Sequence, residues 1–482
     1  MITGKLWDLH DEATLWKFDA AAVRLLTQTG LRIHHEELLD IMGRAGCRID
    51  KPAMRCYFSE KLIRETIEHL RGGGTGEVKM NATWNPATRT GHGGTFPHLL
   101  DWPSGRRKLA GKQDVIDMAK MAQMLDEITG VGKVLNCCEV DQRLEPLWSA
   151  ITLAETTSKP VGGGETFYAG YIEPLVRMGE VLSGRPGDTG LVAPFDFFIA
   201  PLIFDRKQAE CFLEKRRFKI ALYPGTMAIS GMSAPVTIAG TVVVATAELL
   251  AGFVMGYVVD PSLPVGFGIT ATGSLDMRTT NACFGSPEAL LQDLAVCQVF
   301  RRLYGIFVGG ATGYVDCKRP GIEATYQKMF PMTAGAMGLG SYPSSEGLLS
   351  AGQDYSPVQH MLDLEIAKSV ERFWGHFEVN DETLAVELIE QIARGQGADF
   401  LQTDHTLSHF RSEQWYPRWF DRKAWQGDAV EAVAERDMLN RIDAYCKDAI
   451  VRYQRPAIDE KKVAELRRIY NANEARLLAM PL

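Results

Sequence analysis

The residues of this 482-residue chain with chemistry to offer stand where short apolar or glycine-rich runs end. Glu165 and Tyr168 follow Pro160 to Gly164, and Tyr223 ends the run from Lys219. Tyr314 and Asp316 follow Ile306 to Gly310, while Tyr342 and Glu346 lie at the end of Met337 to Tyr342 and just beyond it. His360 belongs to GQDYSPVQH further on, and His405 follows Asp399 to Thr403. Aromatic rings in such places hold a ligand by their faces or simply pack. The carboxylates and imidazoles bind a polar ligand or fix their own loops. No general acid and base pair stands out.

Eight such runs recur: Val131 to Leu135, Pro160 to Gly164, Phe195 to Ile199, Lys219 to Tyr223, Pro264 to Ile269, Ile306 to Gly310, Met337 to Tyr342 and Asp399 to Thr403. They are short and lack clean alternation, as strands covered on both faces do. Helical segments separate them. Asp205 with Gln208 resembles a capping box, and Ser286 with Pro287 opens a helix that Gly305 closes. Strand and helix in eightfold alternation predict an α/β fold, a (β/α)8 TIM barrel with an N-terminal accessory layer and a C-terminal helical tail; an open doubly wound sheet is the competitor. The expected division is 1–128 for a helical and β accessory region covering an end of the barrel, 129–407 for the barrel, and 408–482 for an extension packed on it. In such a barrel the strand-end residues named above gather at one face.

A net charge of −8 and a pI near 5.8 argue against a nucleic-acid partner. The start, MITGKLWDLHDEATLW, lacks the features of a signal peptide, and nine cysteines without a secretory signal suggest reduced thiols, so a cytoplasmic protein is expected. Ala234 to Val259 is long and apolar enough to span a bilayer. Glu248 in its middle and small residues on all faces predict a buried barrel helix instead, with no membrane role. GGGET and GGATG lack the spacing of a dinucleotide-binding fingerprint.

Five separated segments then carry a resemblance: LLDWPSGRRKLAGKQDVIDMAKMAQMLDEI, APVTIAGTVVVATAELLAG, SLDMRTTNACFGSPEALL, RLYGIFVGGATGYVDCKRP and FLQTDHTLSHFRSEQWYPRWFDR. In this order and spacing the chain resembles the trimethylamine methyltransferase family. The resemblance implies a barrel that moves a methyl group from an amine to the cobalt of a separate corrinoid-binding protein, with no tightly bound cofactor of its own. The founding branch carries pyrrolysine in the loop after the position of Gly310, where this chain has Tyr314, Val315, Asp316, Cys317, Lys318 and Arg319. It therefore looks like the branch without pyrrolysine, whose members demethylate quaternary amines such as glycine betaine, proline betaine or carnitine.

That chemistry asks for a pocket holding a permanent cation, and aromatic faces supply about 0.5 to 2 kcal/mol each. Tyr314, Tyr342 and Tyr168 are the preferred cage residues, with Tyr223, Glu165, Asp316, Glu346, His360 and His405 as further substrate contacts; Lys318 and Arg319 offer charge to a carboxylate. Two other readings stand beside this one. A zinc-dependent methyltransferase needs clustered Cys and His, and Cys137-Cys138 does not give the usual bite. A quaternary-amine binding protein without catalysis would use the same cage. The segment WYPRWFDRKAW, 415–425, is rich in Trp and Arg, types enriched at interfaces, and a homo-oligomer is expected.

Overall fold

The computed structural model describes residues 7–72, 96–263, 266–338, 347–374, 377–397 and 399–481. Its core is a run of parallel neighbours in strict chain order. Phe96 bridges to Leu135, Val131 to Val161 and Gly164 to Val192. Phe195–Phe197 then pairs with Tyr223–Thr226, that strand with Gly268–Thr270, and that one with Val308–Gly310. A doubly wound sheet would reverse its order at a switch point, and this one never does. The chain folds as a (β/α)8 barrel.

Three helices precede the barrel: α1 (Glu12–Arg24), α2 (Glu36–Arg44) and α3 (Glu60–Gly72). Its outer ring is α4 (Lys112–Met124), α5 (Glu145–Thr156), α6 (Ile172–Ser183), α7 (Arg206–Arg217), α8 (Ile238–Val259), α9 (Pro287–Val299), α10 (Ile322–Gly338) and α11 (Pro357–Trp374). Four short helices follow, α12 (Asp381–Leu384), α13 (Val386–Ala393), α14 (Asp404–Glu413) and α15 (Asp428–Glu431), and then α16 (Ala434–Val451) and α17 (Glu460–Leu478). Helix α16 lies against both α11 and α4, and α17 packs on α5 and α6. The C-terminal tail thus completes the helical ring.

The local signals explain most of these boundaries. Asp205 caps α7 by accepting a hydrogen bond from the Gln208 amide at 2.8 Å, although the Gln208 Oε1 atom is itself unpartnered, so the capping box is half made. Ser286 caps α9 with Pro287 at its first position, and Gly305, at φ +65°, ends the π-turn Phe300–Tyr304 that extends it. Between strands and helices, polar pairs fix the register. Asp196 accepts from Lys215 and Arg216 of α7, Thr226 donates to Glu248 of α8, and Thr270 donates to Asp293 of α9. Because Asp196, Thr226 and Thr270 face the helices, alternation turns Phe195, Phe197, Tyr223, Gly225 and Ile269 into the barrel.

Helix α8 explains the apolar stretch that resembles a membrane span. It is the helix among the described residues long and apolar enough to cross a bilayer, and α1, α2, α3 and α9 cover it. Its small residues let it approach the sheet. A Cβ on Gly256 would come within 2.2 Å of Leu222, and one on Gly252 within 2.5 Å of Pro224. Burial on both sides removes the need for an amphipathic pattern. The N-terminal layer therefore packs on the barrel's side at α8 and α9, not over an end.

Several strand expectations need correction. The run Lys219 to Tyr223 is mostly the turn into its strand, with Lys219 at φ +53°, and the strand itself is Tyr223–Thr226. Of Pro264 to Ile269, Pro264 and Val265 lie outside the described residues and the strand is Gly268–Thr270. Met337 and Gly338 belong to α10, and the rest of Met337 to Tyr342 lies outside the described residues. Asp399 to Thr403 is no strand. The Thr403 and Thr406 hydroxyls donate to the Phe400 carbonyl and Thr403 caps α14, so side chains divert the backbone into a helix start. Phe96, bridged to Leu135, brings the stretch before residue 129 into the parallel run.

Candidate active site

At the C-terminal ends of the strands, three loops meet in one sector. The loop after Val308–Gly310 carries Tyr314 and Asp316, the loop before α9 carries Phe284 and Gly285, and residues 347–356 lead into α11. The Asp316 carboxylate joins the first two, accepting from the Phe284 amide at 2.8 Å and the Gly285 amide at 3.0 Å. Gln327 of α10 accepts from the Asp316 and Cys317 amides and holds the loop from below. The third loop joins through the backbone, the Ser350 amide donating to the Cys317 carbonyl and the Ala351 amide to the Val315 carbonyl.

This arrangement sets the half-buried rings of Phe284 and Tyr314 side by side, 5.4 Å between centroids at 52°. Gly352 lies against the Tyr314 ring, where its φ of +84° and the 3.2 Å clearance of a built Cβ leave no room for a side chain. The same segments and the start of α11 also carry buried polar groups. Thr312 Oγ1, Ser350 Oγ, Gln359 Oε1 and His360 Nε2 have no hydrogen-bond partner among the described residues. Native interiors satisfy nearly all such atoms, so four on three adjoining segments make this sector a candidate for a polar ligand.

Deeper still, Lys328 of α10 and Asp363 of α11 pair at 2.6 Å with neither side chain exposed. Asp363 also accepts from the Gly347 amide at 2.9 Å and from Gln359 at 2.7 Å. Burial pushes the Asp363 carboxyl up, and the lysine beside it opposes that shift. The His360 Nδ1 atom meets the Tyr355 hydroxyl at 2.9 Å. Burial, helped by Lys328, holds the imidazole down to about 3, so it is neutral. The Cys317 thiol is pushed up to about 12 by burial and is not a nucleophile.

Among the described candidates the structure thus brings Tyr314, Asp316 and His360 to adjoining segments and places Tyr168, Tyr223 and His405 elsewhere. Asp316 braces the loops, and its partner is backbone. Lys318 contacts the Asp316 carbonyl, not its carboxylate, and Arg319 lies exposed beside Gly105. Tyr168 is 9% exposed, edge-on to Tyr171, with Lys207 Nζ 4.7 Å from its ring centroid. Its face already serves a lysine. Glu165 is half-buried just past the Gly164 bridge. Tyr342 and Glu346 lie outside the described residues.

Two placements overturn the expectation. Tyr223 begins its strand, so its ring sits at the N-terminal end of the barrel in a layer with Phe195 (5.7 Å) and Phe267 (4.5 Å), and Phe307 extends that layer. That end serves stability in this fold. His405 lies in the first turn of α14, its ring 4.5 Å from His409, because the strand expected before it does not form. Asp276 and Arg278 pair with one another, and the arginine holds the Asp276 carboxyl down to about 2.

The ring missed from sequence is Phe284. Its signal was an aromatic just before a helix cap, in CFGSPE, one loop away from Tyr314. Among the described residues no three His, Cys, Asp or Glu side chains gather in a metal-binding group.

The strand-end mouth of such a barrel is where enzymes of this fold bind small molecules. The sequence narrows it: residues 3–477 match the model of the trimethylamine methyltransferase (MTTB) family, and the chain belongs to that family. It is a methyltransferase. Among curated proteins it is 23% identical to a trimethylamine methyltransferase of Desulfitobacterium hafniense, over 95% of this chain and 92% of that one. It is 24% identical to a glycine betaine methyltransferase from another strain of that species, over 95% and 96%. A solved monomethylamine methyltransferase of Methanosarcina barkeri aligns over 95% of this chain and 90% of its own, with 12% identity and a TM-score of 0.43.

Proposed function

We propose that the chain moves a methyl group from a quaternary amine of the betaine or carnitine kind to the Co(I) of a separate corrinoid protein. The observation that carries this reading is the half-buried Phe284 and Tyr314 pair braced by Asp316 at the strand ends. Two ring faces suit a permanent cation. The relative named a glycine betaine methyltransferase supports the substrate class.

In this reading the reduced cobalt attacks a methyl carbon in line, the carbon–nitrogen bond breaks, and its electron pair stays on nitrogen. The leaving group is a neutral tertiary amine, so no proton is needed. That suits a site whose imidazole is neutral and whose Asp316 carboxylate is spent on amides. Positive charge on nitrogen disappears during transfer, so every contact to the cation favours the ground state, and a carboxylate would do so more strongly than the weaker ring faces. The unpartnered Thr312 and Ser350 hydroxyls can donate to a substrate carboxylate.

The test is purified chain with chemically reduced cob(I)alamin and a panel of trimethylamine, glycine betaine, proline betaine, carnitine, γ-butyrobetaine and choline, followed spectroscopically. Formation of methylcob(III)alamin with a quaternary amine supports the reading. Failure with every quaternary member, while trimethylamine reacts, overturns it.

A further inference from the structure

Residues 347–356, the third loop of the mouth, fold as a hairpin under strain. Leu348–Leu349 pairs antiparallel with Asp354–Tyr355, and that second strand pairs in turn with His98–Leu100. At the tip, Ser350 and Ala351 stand at φ +53°, the left-handed region that residues other than glycine avoid. Such backbone persists only where its surroundings over-determine it, and it gathers at sites whose geometry matters. Here the surroundings are the loop that carries the ring. The Ser350 and Ala351 amides donate to the Cys317 and Val315 carbonyls, and Gly352 stands against Tyr314.

A tip that holds a ring needs an anchor of its own. The hairpin closes where the Ser356 amide donates to the Gly347 carbonyl at 2.9 Å, and the Gly347 amide donates to the Asp363 carboxylate at 2.9 Å. A Cβ on Gly347 would come within 2.6 Å of the Ser356 carbonyl oxygen, so the neck offers the carboxylate backbone alone. Both Asp363 oxygens are taken: Lys328 shares Oδ2 with that amide, and Gln359 donates to Oδ1. For stability alone, apolar residues of similar volume serve as well as a buried ion pair. What they could not supply is the acceptor for the Gly347 amide.

We infer that Asp363, paired with Lys328, is a positioning residue: it grips the neck of hairpin 347–356, whose strained tip sets the Tyr314 ring at the mouth. It touches no substrate and acts through the hairpin. The inference takes from the proposed function only that the amine binds at this mouth.

The experiment separates grip from stability in the full chain. Lys328→Met with Asp363→Leu removes both charges and the acceptor together, and should melt close to wild type. Its KM for the panel amine that wild type demethylates should rise about tenfold, with kcat within about threefold. Amide hydrogen exchange of 347–356 should quicken about tenfold while α10 and α11 keep their protection. Lys328→Met with Asp363→Asn keeps an acceptor and should restore both readings. Because the apolar pair can fail to fold, Ala351→Gly gives a second reading outside the core. With its backbone freed, the tip should exchange faster and KM rise by about threefold at an unchanged melting temperature. Wild-type KM and exchange in a folded Lys328→Met, Asp363→Leu chain overturn the inference. So does the full defect in the chain with Asp363→Asn, or an Ala351→Gly chain indistinguishable from wild type. Should no amine of the panel react, the proposed function fails and exchange alone decides the role of Asp363.

Discussion

Asp316 is spent before any substrate arrives: two amides occupy its carboxylate, and what it delivers is the position of Phe284 beside Tyr314. Replacing Asp316 with Ala should lower kcat/KM for the accepted amine by about tenfold through misplaced rings, with Asn recovering part of it; steady-state kinetics check this. Replacing Tyr314 or Phe284 with Leu should raise KM by roughly 3- to 30-fold each, the worth of one cation–π face, with less effect on kcat. Single residues were the least legible scale in the sequence. Tyr314 could be picked because its strand ended in two glycines, but Tyr223 was placed at the wrong end because the turn at Lys219 reads as apolar as the strand. Phe284 was hidden because a local signal names a helix cap, and only the fold shows which ring faces which loop.

The elements were more legible, since caps act locally: α7 starts after Asp205 and α9 after Ser286, and Gly305 ends the turn that extends α9, as the sequence predicts. What sequence could not supply was the polar stitching between them. Lys328 on α10 and Asp363 on α11 are fully buried partners, so Lys328→Met should destabilise the fold by about 3 to 5 kcal/mol in denaturant unfolding, because an unpaired carboxylate is left inside. Burial also pushes the Glu248 carboxyl on α8 up to about 7 and the Asp293 carboxyl on α9 up to about 6. The folded chain holds protons that the unfolded chain releases above about pH 4, so their stabilisation is lost as pH rises toward those values. His360 acts in the opposite sense. The unfolded imidazole takes up a proton below about pH 6.5 and the folded one does not, so stability is also lost as pH falls from there. Melting temperature against pH should therefore form a dome. Glu248→Gln should flatten its alkaline side, gaining roughly 2 kcal/mol relative to wild type near pH 8.

At the scale of the molecule, the barrel was legible because strands buried on both faces and separated by helices leave few alternatives, and strict parallel order excludes the doubly wound one. The segment 377–430 was not legible as structure. Its sequence supplied a strand pattern at Asp399 to Thr403 where the chain makes a helix start, and many of its large apolar residues stay exposed. On the proposed account the barrel sets the mouth, the loops set the rings, the methyl acceptor is the cobalt of a separate protein, and the substrate is a quaternary amine. The deciding measurement is the initial rate of cob(I)alamin methylation with equal concentrations of glycine betaine, proline betaine, carnitine and trimethylamine. A rate with at least one quaternary amine and none with trimethylamine is the predicted result. Turnover of trimethylamine alone would contradict the account.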